Sequence, residues 1–115
     1  MENTDQENGT LKGKVENKRQ VFSRLLACGP ELHRLGVSRC GVFGSFARDV
    51  DISEESDVDI LVTFLPELKT FDNFMALSFL LEERLGRAVD LITDESLSPY
   101  IGPHILKEVE YVFPA

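Results

Sequence analysis

Residues Gly41–Phe64, GVFGSFARDVDISEESDVDILVTF, set the reading of the whole chain. A short run of Val, Cys and Phe over Val37–Phe43 is closed by Gly44, which predicts a strand ending in a turn. Ser45–Arg48 can form a single helical turn, and Asp49–Ser56 is a polar, acidic loop. Asp57–Phe64 then reads as a second strand, with Val58, Ile60, Val62 and Phe64 on one face because successive side chains of a strand alternate. Pro66 stops it. A turn that can approach a phosphate therefore stands beside a pair of carboxylates, Asp57 and Asp59.

Upstream, residues 1–13 are polar and carry Gly9 and Gly13, which predicts a flexible tail. Lys14–Cys28 places Val15, Val21, Phe22, Leu25 and Leu26 at helical spacing. Gly29 and Pro30 interrupt that helix, and Pro30–Leu35 reads as a second, short one ended by Gly36. Downstream, Thr70 or Asp72 can cap a helix running to Leu85. Its apolar stripe is Phe71, Phe74, Met75, Leu77, Leu80, Leu81 and Leu85, and Gly86 is its stop. Ala88–Ile92 is a third strand, and Pro99–Val112 reads as a final helix with Ile101, Ile105, Leu106 and Val109 inward. The order predicts an α/β (α+β) domain over residues 14–115, a small mixed sheet flanked by helices.

The chain has 115 residues, enough for one domain with one modest core. Its formal net charge of −8 excludes a nucleic-acid surface built on bulk electrostatics, because phosphate backbones need a basic face. The same charge disfavours an anionic membrane and favours a basic or neutral protein partner. Cys28 and Cys40 have no CxxC spacing and read as free core thiols in a reducing compartment. The first residues lack the apolar segment of a signal peptide, and no apolar run is long enough to span a bilayer, so a cytoplasmic location is expected.

Asp57 and Asp59, two apart at a strand start, share a face and repel each other. A hard divalent cation such as Mg²⁺ relieves that repulsion with oxygen ligands. Taken on its own, the pair reads more simply as a solvated loop-to-strand junction. Asp90 lies within the apolar frame Val89-Asp90-Leu91 and can complete a three-carboxylate site if its strand neighbours the second one; otherwise it sits at an exposed strand end. Gly44 and Ser45 offer backbone N–H groups and a hydroxyl to a phosphate, or merely turn the chain. Arg48 can neutralise phosphates or pair with Asp49 or Asp51. Sharper motifs are missing. Gly36–Gly41 has P-loop spacing, but Val42 and Phe43 stand where Lys and Ser/Thr are required. An EF-hand from Asp49 fails at Glu54 and Ile60. His33 and His104 stand in no metal-binding spacing and read as surface or packing residues.

Gly44-Ser45-Phe46-Ala47-Arg48, followed by Ser56-Asp57-Val58-Asp59 and by Val89-Asp90-Leu91, resembles the signature of the polymerase-beta-like nucleotidyltransferases, and most of all their minimal, single-domain members (MNT). The likeness runs from about Pro30 to the C-terminus, where Glu108 also fits the family's ending. The resemblance implies a small mixed sheet with flanking helices and transfer of a nucleoside monophosphate, AMP from ATP, to an acceptor hydroxyl with Mg²⁺ as cofactor. Carried over, Gly44 and Ser45 hold the triphosphate, with Arg48 a candidate third nucleotide contact. Asp57, Asp59 and Asp90 ligate the metal, and Asp90 also acts on the acceptor hydroxyl. It further implies a HEPN-domain partner, the toxin of a toxin–antitoxin pair, adenylylated on a tyrosine. A non-catalytic partner-binding module of the same fold and a small-molecule nucleotidyltransferase are the competing functions. Apolar residues on the Asp72–Leu85 helix leave room for a homodimer or hetero-oligomer interface. The chain departs from the pattern in its Asp49–Ser56 loop, which is one residue longer and begins with Asp49 where glycine is usual.

Overall fold

The computed structural model describes residues 13–114, so the expected tail lies almost wholly outside the described residues. The elements are α1 (Lys18–Ala27), α2 (Gly29–Arg34), β1 (Val37–Phe43), α3 (Ser45–Arg48), β2 (Val58–Phe64), α4 (Phe71–Leu85), β3 (Val89–Thr93), α5 (Gly102–Glu108) and β4 (Glu110–Phe113). Short 3-10 turns occupy Pro66–Leu68 and Asp94–Ser96.

Local chemistry sets most boundaries. Helix α1 starts later than its apolar spacing suggests, because Asn17 holds an extended backbone and its side chain accepts the Gln20 N–H. Val15 is still fully buried, but on an extended segment whose N–H donates to the Leu85 carbonyl at 2.9 Å. Helix α4 behaves as read: Thr70 caps it by accepting from Asn73 N–H, and Gly86 ends it in the left-handed region at φ +69°. Its first residue does not follow the stripe, since the Phe71 side chain is 76% exposed.

The four strands form one mixed sheet in the order β3-β2-β1-β4. β1 is antiparallel to β2 and to β4, and β2 is parallel to β3. A parallel pair requires a crossover connection, and α4 provides it. The one element misread from sequence is the last. The expected helix Pro99–Val112 splits into the short α5 and the edge strand β4, whose Tyr111 and Glu110 pair with Gly41 and Val42. Ile101 and Leu106, expected inward, are 56% and 52% exposed. Apolar residues spaced along a short helix and a short strand in succession mimic one longer helix. Sheet pairing to β1, which local spacing cannot report, decides the matter.

The two faces of β2 explain where the chemistry sits. Val58, Ile60, Val62 and Phe64 enter the main core with α1, α2 and α4, represented by Val21, Leu25, Leu32, Leu77, Leu81 and Leu85. Leu61 lies on the opposite face in a smaller cluster with Phe43 and Ile105 of α5. Asp59, two residues from Leu61, shares that second face. Cys28 and Cys40 are free and buried, as their reading as core thiols required.

Candidate active site

β2 and β3 are neighbours, and their register sets Asp59 directly across from Asp90. On its other side Asp59 pairs with Phe43, one residue before the Gly44 turn. Asp57 immediately precedes β2. Three carboxylate-bearing residues therefore lie at the same end of the sheet. Their crowding is felt most by Asp59, which is partly buried: desolvation first, then the charges of Asp90, Asp57 and Glu108, push its carboxyl up to about 6, against the opposing pull of Arg48. Asp90 is exposed on an edge strand, so it is at once the strand-end residue and a neighbour of Asp59. Among the described residues, no three Asp, Glu, His or Cys side chains are gathered closely enough to hold an ion as they stand. Mutual repulsion between unpaired carboxylates favours that spread.

The Gly44 turn abuts the same carboxylate. Gly44 has φ +76° and ψ −155°, and a Cβ built on it would lie 2.1 Å from Asp59 Oδ2. Only glycine permits both the conformation and the approach. Its carbonyl accepts the N–H groups of Ala47 and Arg48 at 3.0 and 3.1 Å, which closes α3. Phe46 and Ala47 are buried and pin that turn to the core, while Ser45 stays half-buried at its start. Asp49 follows in the left-handed region at φ +59°, where glycine would be the unstrained choice. Its side chain has a compensating role, because Oδ1 accepts the Lys18 N–H at the start of α1 at 2.9 Å. Asp49 thus couples the loop to a helix end, an interaction a glycine cannot make.

Arg48 does not pair with Asp49 or Asp51. Its guanidinium forms an ion pair with Glu108, the last residue of α5. The other oxygen of that carboxylate accepts the Gly44 N–H at 2.8 Å. The Gly44 N–H and then Arg48 hold the Glu108 carboxyl below the usual range, so it is ionised at neutral pH. These groups line an open cleft of about 620 Å³ with Asp59 on its floor and His104, Lys107 and Ile101 on the α5 side. Glu108 was legible only as part of a family-like ending. Its place in the site depends on α5 folding back over β1.

Arg87 is a second participant that spacing could not reveal. It is only 8% exposed, with no carboxylate among its hydrogen-bond partners within the described residues. Nε donates to the Val15 carbonyl at 2.6 Å, and Nη1 donates to the carbonyls of Ser53 and Ser56 at 2.8 and 2.9 Å. The guanidinium also stands 5.1 Å from the centre of the Phe46 ring, within cation–π range. One side chain thereby clamps the acidic loop that delivers Asp57 and rests on the turn that carries Ser45.

The donor set fits a hard divalent cation. It consists of side-chain carboxylates, one of them pushed up to about 6 by burial and then by its acidic neighbours, next to a turn that has no side chain of its own at Gly44. A cation there would add to the counter-charge that Arg48 already supplies to Asp59.

Comparison with known proteins agrees with the fold. Residues 29–112 match the family described as "Nucleotidyltransferase domain". The protein adenylyltransferase MntA of Thermococcus cleftensis is 44% identical over 94 residues, which is 81% of this chain and 93% of the relative. A solved structure described as a minimal nucleotidyltransferase superposes with a TM-score of 0.73 at 33% identity, covering 85% of this chain and 98% of that one. A chain from the complex of tri-AMPylated Shewanella oneidensis HEPN toxin with MNT antitoxin superposes with a TM-score of 0.57 at 16% identity, over 85% of this chain and 73% of that one, a likeness of fold.

Proposed function

This chain belongs to the nucleotidyltransferase domain family, and on that premise we propose that it is a protein adenylyltransferase, moving AMP from ATP to a hydroxyl of a HEPN-domain toxin and so acting as antitoxin. The observation that carries the reading is the register pairing of Asp59 with Asp90 beside the Gly44 turn, with Asp57 adjacent. Support for the substrate and partner comes from the adenylyltransferase name of the Thermococcus relative and from the HEPN complex among the structures of like fold.

In this reading the acceptor oxygen forms a bond to the α-phosphorus of ATP, the bond from that phosphorus to the bridging oxygen breaks, and pyrophosphate leaves. Gly44 and Ser45 supply backbone and hydroxyl donors to the leaving phosphates, and Arg48 supplies a charge-assisted contact. Asp57, Asp59 and Asp90 would hold Mg²⁺, which when bound neutralises charge on the attacking and leaving oxygens. Asp90, on the edge strand and exposed, is the carboxylate open to an incoming acceptor, and it orients the hydroxyl and takes up its proton. Chemistry of this type depends mainly on positioning and electrostatics, and Asp59 and Asp90 face each other across neighbouring strands at that point.

The test uses ATP labelled at the α- or the γ-phosphate, Mg²⁺ and a HEPN-domain protein as acceptor. Label from the α-position is expected on the partner, and none from the γ-position. Transfer of the γ-label, or α-transfer that survives Asp57→Ala, rejects the reading.

A further inference from the structure

Glu108 stands where an anionic ligand of this site would be bound. One carboxylate oxygen accepts the Gly44 N–H at 2.8 Å, and the other pairs with Arg48. Both donors are groups that the proposed function assigns to the triphosphate, and the inference rests on that reading. Resting on one residue, the arrangement reproduces what a phosphate oxygen pair would do: it takes a backbone N–H and a guanidinium together. It also adds a negative charge to a cleft that already holds Asp59. A triphosphate entering while Glu108 stays in place would find the Gly44 donor saturated and an extra anion beside it.

The Glu108 side chain is only partly buried, on a backbone that Ile105 and Val109 anchor to the smaller cluster. Within α5 only Gly102 and Ile105 are buried, and Ile101 and Leu106 on either side face outward. Glu108 is the final residue of the helix, followed by Val109 in an extended conformation. Rotation of its side chain uncovers the Gly44 N–H and Arg48 at once, without moving the sheet. Lys107, on the same cleft wall, remains as a cation after the carboxylate leaves.

We propose that Glu108 is an internal stand-in for phosphate, occupying the Gly44 N–H and the Arg48 guanidinium until the nucleotide displaces it and thereby setting nucleotide affinity. The contrary role is a positioning one, in which Glu108 holds Arg48 ready for the nucleotide. The two give opposite signs for the same substitutions. Glu108→Gln removes the charge while retaining a carbonyl acceptor, and Glu108→Ala removes both.

The experiment is calorimetric titration of the full chain with Mg-ATP, and separately with inorganic tripolyphosphate. Glu108→Gln is expected to bind each about three- to tenfold more tightly than the wild type, the range set by the net contribution of one ordinary hydrogen bond. Glu108→Ala is expected to bind at least as tightly as Glu108→Gln. If the wild type binds Mg-ATP and both variants bind equally or more weakly, the inference is overturned while the nucleotidyltransferase reading stands. If neither wild type nor variants bind Mg-ATP, both fall. A measurement on the unmodified protein covers the case of a variant that does not fold. Carbon NMR of the Glu108 carboxyl is expected to shift as Mg-ATP is added, together with the Gly44 amide. A carboxyl signal that stays fixed at nucleotide saturation overturns the inference.

Discussion

Asp59→Asn should make the metal-free protein more stable and the enzyme inactive. The wild-type carboxyl is partly buried, lies across from Asp90, and is crowded by Asp57 and Glu108, so its pKa in the fold is about 6 rather than the ordinary 3.8. The folded state thus holds this proton more tightly than the unfolded state. Relative to a non-titrating residue, Asp59 costs nothing well below pH 4, costs progressively more as pH rises from about 4 to 6, and reaches a constant penalty above that. The full shift corresponds to about 3 kcal/mol at 1.36 kcal/mol per unit, and the open side of the site reduces this to about 1–2 kcal/mol. Asparagine is nearly isosteric and uncharged, so it removes the penalty. Urea denaturation in the presence of a chelator, at pH 4 and pH 7.5, measures the difference. Asp59→Asn is expected to exceed the wild type by about 1–2 kcal/mol at pH 7.5 and by no more than a few tenths of that at pH 4. Added Mg²⁺ should raise the wild type and leave the variant unchanged, because only the wild type regains the missing countercharge. A variant less stable than the wild type at pH 7.5, or a difference independent of pH, refutes the reasoning.

Two further outcomes follow from the same geometry. Gly44→Ala places a methyl group 2.1 Å from Asp59 Oδ2 at a positive φ, so it should destabilise the fold by about 2–4 kcal/mol in denaturant titration and abolish AMP transfer even at temperatures where it is folded. Arg87→Lys keeps a cation but cannot reach the carbonyls of Val15, Ser53 and Ser56 together; a loss of about 2–3 kcal/mol is expected, with amide exchange rising first in the 49–56 loop.

Much of this site was legible in the sequence because it is built from short-range signals. Alternation fixed which residues of β2 face the main core, and that placed Asp59 on the other side of the sheet. The Gly44 turn, the Thr70 cap and the Gly86 stop are local devices and fall where their residue types require. Asp90 was conditional on a neighbouring strand, and the parallel pairing of β2 with β3 satisfies the condition. The failures share a cause. β4 exists because β1 has an open edge, a fact carried by residues some 70 positions away rather than by the segment itself. Glu108 and Arg87 reach the site across 64 and 31 to 72 residues of sequence respectively. Asp49, a departure from the family pattern, makes sense only once Lys18 N–H is seen to need an acceptor.

The most direct test of the account is the mass of the proposed HEPN partner purified from cells that co-express it with this chain. With the wild type, the partner is expected to carry one or more added AMP groups and to be non-toxic. With Asp57→Ala/Asp59→Ala, it is expected to co-purify at its unmodified mass and to remain toxic. An unmodified partner that both proteins silence equally would show that neutralisation is by contact alone, and would contradict the assignment of catalysis to the three aspartates.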